Sequence, residues 1–371
     1  MMTAKNTRRH FLKALGLTVG GLVLNDPRRV TAQDDENVWS MPDEGNRHKR
    51  TWMAFGASRK IWGSKLLPEV QRNLATIART ISTYEPVSML VRKEDAVAAR
   101  RLVGTGVELI VQPLDDLWMR DTGPVFVTNT KGVKAGVDFN FNGWGEKQDH
   151  DRDAKVAQFV ATRARALPIA TNLVLEGGGI EVDGRGTAII TESCVLNDNR
   201  NPRLSKADCE LELKRLLGLT KIIWLPGIKG KDITDGHTDF YARFAGPGVV
   251  VAGYDPDPRS YDHAVTKRHL ALLSVATDAE GRKLDIVVIE APSTVREKYA
   301  NEEFAAGYIN FYMCNGAVIA PEFGDAKADK AARDKLHELF PDRDIVQIAI
   351  DGIAAGGGGI HCTTQQELLA Q

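Results

Sequence analysis

Apolar and polar positions along this chain fall into one recurring order: two short apolar runs around a turn, an amphipathic stretch, then a single apolar run. The order is clearest from Phe240, where "FYARFAGPGVVVAGY" sets two runs around a Gly-Pro-Gly turn and predicts a β-hairpin. The stretch "YDHAVTKRHLALLSVA" follows with helical spacing, and "LDIVVIEAP" follows as a strand. The next copy reads "FYMCNGAVIAP" with an Asn-Gly turn, helix "DAKADKAARDKLHELF" and strand "DIVQIAI". Upstream lie "GIEVDGRGTAIIT", helix "ADCELELKRLLG" and strand "KIIWLP". Before them come "PVFVTNTKGVKAGVDFN", helix "AKVAQFVATRARAL" and strand "NLVLE". A first copy near residues 51–113 is blurred and carries an extra helix around "EDAVAARRLV".

Five such units, spaced by roughly 55–75 residues, predict a repeat architecture of the α/β class rather than one doubly wound sheet. Small mixed sheets without capping repeats leave exposed edges, and closing them into a ring removes the problem. The expected fold is therefore five pseudo-symmetric ββαβ units around a central axis. In such a ring, the loop after each unit's last strand meets its equivalents at one end. "LDDLWMRDTG" follows "VELIVQP", "GGGIE" follows "NLVLE" with Glu176 at the junction, "GIKGKDITDGHTD" follows "KIIWLP", and "DGIAAGGGGIHC" follows "DIVQIAI". Four of the five equivalent loops carry Asp, Glu, His or Cys beside glycine, which predicts a shared site.

Composition changes this picture little: 371 residues, 43% apolar and 26% charged, describe a well-filled globular chain. The N-terminus changes it more. Thr7-Arg8-Arg9-His10-Phe11-Leu12-Lys13 precedes an apolar run from Ala14 to Leu24 and then Val30-Thr31-Ala32. A basic region, a short apolar core and a small-residue cleavage site predict a signal peptide over 1–32, and the paired arginines resemble the twin-arginine pattern. The expected location is the periplasm or outside the cell, reached through the twin-arginine translocase. The expected mature part is one catalytic domain over 33–371. Removing residues 1–32 takes away six Lys/Arg and one Asp and moves the formal net charge from −1 to −6. That leaves no basic footprint for nucleic acid and weakly favours a cationic small molecule. Of the four cysteines, Cys194, Cys209 and Cys314 read as buried apolar residues, because no CxxC spacing suggests a zinc or redox motif.

Cys362 is the candidate nucleophile. His361 is not its expected base, since neighbours on an extended segment point to opposite faces. His237 is the better base, with Asp239 two residues on and Glu176 available to orient the imidazole and keep it charged. A nearby imidazolium would lower the thiol pKa. Asp121 and Asp239 add two carboxylates with no matching Lys, a pair that invites a planar, permanently charged guanidinium. Trp118 could cover the flat face of that group. Each feature has a plainer reading: Asp121 salt-bridged to Arg120, His237 and Asp239 as metal ligands, "EGGG" as a bulged turn, and Trp144 of "NFNGW" as packing. Their shared placement favours a site.

The residues also resemble a known family. "TWMAF", "LDDLWMRDTGPVFV", "DFNFNGWG", "LEGGGIEVDGRGTAIITESCVLNDNRNP", "DGHTDF", "YINFYMCNGAVIAPEFGD" and "GGGGIHCTTQQ" are similar to the agmatine deiminase family, whose sibling branch is the bacterial peptidyl-arginine deiminases. The likeness spans about residues 41–366 and implies the pentein fold, a five-bladed α/β propeller. It implies Cys362 as nucleophile, His237 as general acid/base, Glu176 as its partner, and Asp121 and Asp239 as guanidinium holders. Gly357 and Gly358 would let the last loop pass close to a flat substrate. The implied reaction needs no metal or cofactor: agmatine would yield N-carbamoylputrescine and ammonia through a thiouronium on Cys362. The alternatives are conversion of peptidyl arginine to citrulline, amidino transfer on the same fold, and guanidine binding without turnover. Expected partners are the cationic substrate, the translocase, and a second copy in a homodimer. Ile233, Phe240 and Phe55 depart from the family's usual residues, the first two making the rim less polar.

Overall fold

The structure is a computed structural model and describes residues 38–369. The expected signal peptide over 1–32 lies outside these residues, as do the extreme ends of the expected 33–371 domain.

Five small sheets form among the described residues, one for each predicted unit. In the clearest unit, Ala242–Gly246 pairs antiparallel with Val249–Tyr254, which pairs parallel with Asp285–Glu290 in the register Val250↔Ile286. Parallel neighbours need a crossover, and helix His263–Leu273 supplies it. The same plan links Tyr312–Cys314, Ala317–Glu322 and Asp344–Ala349 through helix Ala326–Leu339. It links Glu181–Val182, Thr187–Thr191 and Lys221–Leu225 through helix Lys206–Leu217. That helix starts with a capping box between Ser205 and Asp208 and stops at left-handed Gly218.

The unit containing Val125–Asn129 and Lys134–Asp138 differs from expectation in its third strand. The strand is Leu167–Ala170, not "NLVLE". The Val174 N–H donates to Asn201 Oδ1 at 3.0 Å and the Leu175 N–H to the Phe139 carbonyl at 3.0 Å. Those donors are satisfied outside any ladder, while Leu173 and Leu175 stay buried in the core.

The blurred first unit has a physical cause. Its strands His48–Phe55, Val87–Val91 and Val107–Val111 run parallel to one another. Its antiparallel partner is the C-terminal strand Thr364–Leu368, registered Gln366↔Thr51. The hairpin is thus assembled from both ends of the chain, and this closes the ring. Helix Arg59–Ile81 covers that sheet and buries Val70, Leu74, Ile77, Ala78 and Ile81 on one stripe. They pack with Met53, Val87, Met89 and Val318, each fully buried large aliphatic contributing about 1.5–3 kcal/mol.

Candidate active site

The ring brings all the predicted residues to one end. Asp121 lies in the short turn Met119–Thr122, Glu176 before the Gly177–Gly179 turn, Asp239 in Thr238–Phe240 with His237 just before it, and Cys362 in His361–Thr363. Asp121, His237 and Cys362 line one cavity of about 1160 Å³, with Trp118, Ile233 and Phe240 among its other walls. The fifth equivalent loop, silent in the sequence reading, contributes Asn310, whose side chain sits 3.4 Å from Cys362 Sγ.

Glu176 and His237, the expected acid/base pair, are in contact. Their Oε2 and Nε2 are 3.2 Å apart and both residues are buried. Arg200 lays its Nε between both Glu176 oxygens at 2.9 and 3.0 Å. Burial pushes the Glu176 carboxyl up, but the Arg200 charge and His237 outweigh it and hold it below the usual range. Burial pulls the His237 imidazole down, yet Asp121, the Cys194 thiol and Glu176 raise it well above its ordinary value. The glycine after Gly177 is needed here: a Cβ on Gly178 would lie 2.6 Å from His237 Nδ1 and 2.9 Å from Asp121 Oδ1. "EGGG" is therefore a passage of backbone between the His237 and Asp121 side chains.

The two guanidinium candidates are held differently. Asp121 Oδ1 accepts from the Gly178 N–H at 3.1 Å and Oδ2 from the Trp144 indole at 2.9 Å. Burial, opposed by His237 and assisted by Glu176 and Asp239, lifts its pKa to about 6. Asp239 Oδ2 faces His361 Nδ1 at 2.8 Å, while its buried Oδ1 has no hydrogen-bond partner among the described residues. Despite burial, His361 and the nearby charges of His237 and Arg243 keep Asp239 below the usual range. Arg120 does not pair with Asp121. Its guanidinium reaches Glu44 Oε2 at 2.8 Å and Gln366 Oε1 at 2.7 Å.

Cys362 differs from expectation in its electrostatics. Its Sγ lies 3.6 Å from Asp239 Oδ2, and no hydrogen bond joins it to His237 among the described residues. Burial, then the Asp239 and Asp121 charges, push the thiol well above its ordinary pKa, against weaker help from Asn310 and a backbone N–H. In the protein alone the thiol is raised, not lowered. A cation between the carboxylates would reverse that balance.

Around this core sit contacts that sequence reasoning missed, together with the remaining expected residues. His361 lies in a single 3₁₀ turn with Cys362 rather than on the extended segment expected. It is not a wall of the cavity and bridges Asp239 to Glu44, its Nε2 2.9 Å from Glu44 Oε2. Glu44 also accepts from Arg243 and the Met313 N–H, both at 2.9 Å, tying several units together behind the site. Cys194 is buried as predicted but not merely apolar, because its thiol lies 3.5 Å from Glu176 Oε2. Cys209 and Cys314 are buried and free. Trp118 lines the cavity, and its indole and that of Trp62 both donate to Asp116, at 3.0 and 2.7 Å. A Cβ on Gly358 would come within 2.1 Å of the Trp118 ring, and Gly357 is left-handed at φ 84°. The glycine run lets the last loop lie against the indoles and deliver Cys362.

The donor atoms of Glu176, Cys194 and His237 lie within 4.8 Å of one another, a set able to hold a metal ion. Asp239 is not part of it. The Arg200 guanidinium already occupies both Glu176 oxygens, a fixed cation where a metal would have to compete.

The family model described as Porphyromonas-type peptidyl-arginine deiminase matches residues 40–367. A Streptomyces coelicolor relative is 42% identical over 338 residues, covering 89% of this chain and 99% of its own length. The agmatine deiminase of Stutzerimonas stutzeri is 36% identical over 361 residues, covering 91% and 98%. Among solved structures, the agmatine deiminase of Enterococcus faecalis superposes with a TM-score of 0.85 at 32% identity, over 90% of this chain and 96% of that one. On this match, and with five ββαβ blades around the site, the chain belongs to the agmatine deiminase and Porphyromonas-type peptidyl-arginine deiminase family of guanidine-modifying hydrolases, of pentein fold.

Proposed function

We propose that this protein hydrolyses agmatine to N-carbamoylputrescine and ammonia through a covalent intermediate on Cys362. The observation that carries the reading is the pair Asp121 and Asp239, two buried carboxylates that no Lys or Arg pairs with among the described residues. Asp239 Oδ1 lacks a donor that a guanidinium N–H would supply. The arriving positive charge opposes the two anions that raise the Cys362 thiol, so substrate binding and thiolate formation assist each other.

As the cation binds, Cys362 loses its proton to solvent, and the thiolate attacks the guanidinium carbon, forming a C–S bond. His237, kept protonated by its acidic neighbours, gives a proton to the departing nitrogen as the C–N bond breaks, and ammonia leaves. The thiouronium remains on Cys362. His237, now neutral, takes a proton from water, whose oxygen attacks the same carbon. The C–S bond then breaks as the hydroxyl proton passes to solvent, returning the thiolate and releasing the ureido product with His237 protonated again.

A second reading, peptidyl arginine as substrate, draws on the cavity of about 1160 Å³ and its apolar Ile233 and Phe240 walls. An arginine flanked by uncharged amides suits such a rim. Ammonia release from agmatine, free arginine, and peptides with internal or C-terminal arginine separates the two. Agmatine is expected to be the best substrate. A clear preference for any peptide replaces agmatine with peptidyl arginine, and inertness towards all four rejects both. Export to the periplasm belongs to the same proposal and is supported by the Arg8-Arg9 motif and the apolar run behind it.

A further inference from the structure

The segment "NGWGEK" carries a backbone feature the reaction scheme leaves unexplained. Gly143, Trp144, Gly145 and Glu146 all have positive φ, at 67°, 57°, 87° and 63°. With ψ of 41° at Trp144 and 46° at Gly145, this is one turn of left-handed helix. Its hydrogen bonds are those of a helix: the Glu146 N–H donates to the Asn142 carbonyl at 2.9 Å and the Lys147 N–H to the Gly143 carbonyl at 3.0 Å. L-residues visit this conformation singly and rarely in succession, because Cβ crowds the following carbonyl. Two of the four residues here carry a Cβ. Strain of this kind persists only where surrounding contacts over-determine it, and such sites concentrate near functional groups.

The contacts are specific. Asn142 Oδ1 accepts from the Gly145 N–H at 2.8 Å, and its amide donates to the Asn199 carbonyl at 3.0 Å. A Cβ on Gly145 would sit 2.4 Å from Asn199 Cγ, so the turn lies flush against that residue. Lys147 closes the other end on Asp235 Oδ2 at 2.8 Å. Trp144 itself is buried, packs edge-on against Phe141 with ring centroids 5.0 Å apart, and points its indole N–H at Asp121 Oδ2.

We infer that the left-handed turn at residues 143–146 exists to aim the Trp144 indole N–H at Asp121, making Trp144 a positioning residue that fixes the orientation of a guanidinium-binding carboxylate. Reversing the hand of the turn would move the side chain at 144 off Asp121. The inference rests on the deiminase reading for the role of Asp121, though the contact itself does not. Asp121 is faced by the His237 imidazole at 3.7 Å, the Gly178 N–H, the Trp144 indole, the Glu176 and Asp239 charges and the Cys362 thiol. Of these, Trp144 is a neutral donor whose removal leaves every charge in place. Losing it raises a carboxyl that already titrates near 6.

The test is Trp144→Phe, which keeps the ring and removes the N–H. With the best guanidine substrate, kcat/KM is expected to fall roughly 10- to 100-fold near neutral pH, mainly through KM, the loss of a charge-assisted hydrogen bond. The acid limb of its pH profile is expected to move to higher pH, with partial recovery in alkali. A purely structural Trp144 would lower melting temperature and active fraction but leave the limb in place. An unchanged limb with unchanged KM overturns the inference and leaves the deiminase reading standing. A second measurement needs no turnover: in indole ¹⁵N spectra the Trp144 resonance, assigned by its absence from the Trp144→Phe variant, is expected to titrate with Asp121 and to stop titrating in Asp121→Asn. A Trp144 resonance indifferent to Asp121→Asn overturns the inference whatever the substrate is.

Discussion

Replacing Arg200 with Met tests whether the charge of Glu176 is supplied from behind. Arg200 is buried and is not among the cavity's lining residues, yet its Nε grips both oxygens of Glu176. One terminal nitrogen bonds Asp235 Oδ2 at 2.8 Å and Asn199 Oδ1 at 3.0 Å, and the other bonds the Thr234 carbonyl at 2.9 Å. Met fills much of the stem but removes the cation, leaving Glu176 and Asp235 without it. Breaking one partner out of a buried ion pair costs about 3–5 kcal/mol. At about 2.1 cal/mol/K of unfolding entropy per residue, a domain of this size should melt roughly 4–7 °C lower. The larger effect is catalytic. Without Arg200, burial dominates the Glu176 carboxyl, which takes up a proton, and His237 loses its anionic partner. Activity should fall about 10²- to 10⁴-fold, the usual worth of a positioned acid/base. Thermal unfolding followed by circular dichroism and ammonia release at saturating substrate measure the two effects separately. Arg200→Lys, which keeps charge without the fork, should recover part of each. A variant that melts several degrees lower but turns over within threefold of wild type would refute the reasoning, because Arg200 would then be structural only.

Cys362→Ala should abolish turnover while leaving the unfolding transition in place, and alkylation of Cys362 by iodoacetamide in the wild type should stay slow until alkaline pH, since burial and two carboxylates raise the thiol. Fast labelling of Cys362 at neutral pH, read by peptide mass spectrometry, contradicts that electrostatic picture. Glu146→Gly removes a Cβ from a left-handed residue whose side chain is largely exposed, so chemical denaturation should show a gain of about 0.5–1 kcal/mol with kinetics unchanged. A loss of stability there would mean that the turn is not strained. Arg8→Lys with Arg9→Lys should hold the precursor in the cytoplasm, and cell fractionation that still finds it in the periplasm rejects twin-arginine export.

What the sequence made legible, and what it hid, follows from the range over which each signal acts. Four units could be read because a hairpin and its crossover helix are local patterns of period 2 and 3.6. The fifth was blurred because its hairpin joins His48–Phe55 to Thr364–Leu368, a pairing no local window contains. "NLVLE" read as a strand because Leu173 and Leu175 alternate correctly, but its N–H groups belong to Asn201 and Phe139. Placement at equivalent loops was enough to gather Asp121, Glu176, His237, Asp239 and Cys362, since those side chains act from the loops themselves. Asn310 occupies the fifth such loop and was findable by the same rule. Arg200 and Glu44 were not, because they reach the site from behind, and a buried charge has meaning only beside the charge it neutralises. Trp144 stands between these cases. A tryptophan is ordinarily core, and its packing on Phe141 fits that reading. The signal lay in its neighbours: a glycine on each side permits a left-handed run that would otherwise be too costly. Glycines that flank a bulky residue, rather than one another, point to a side chain being aimed, and here the indole N–H ends on the Asp121 carboxylate.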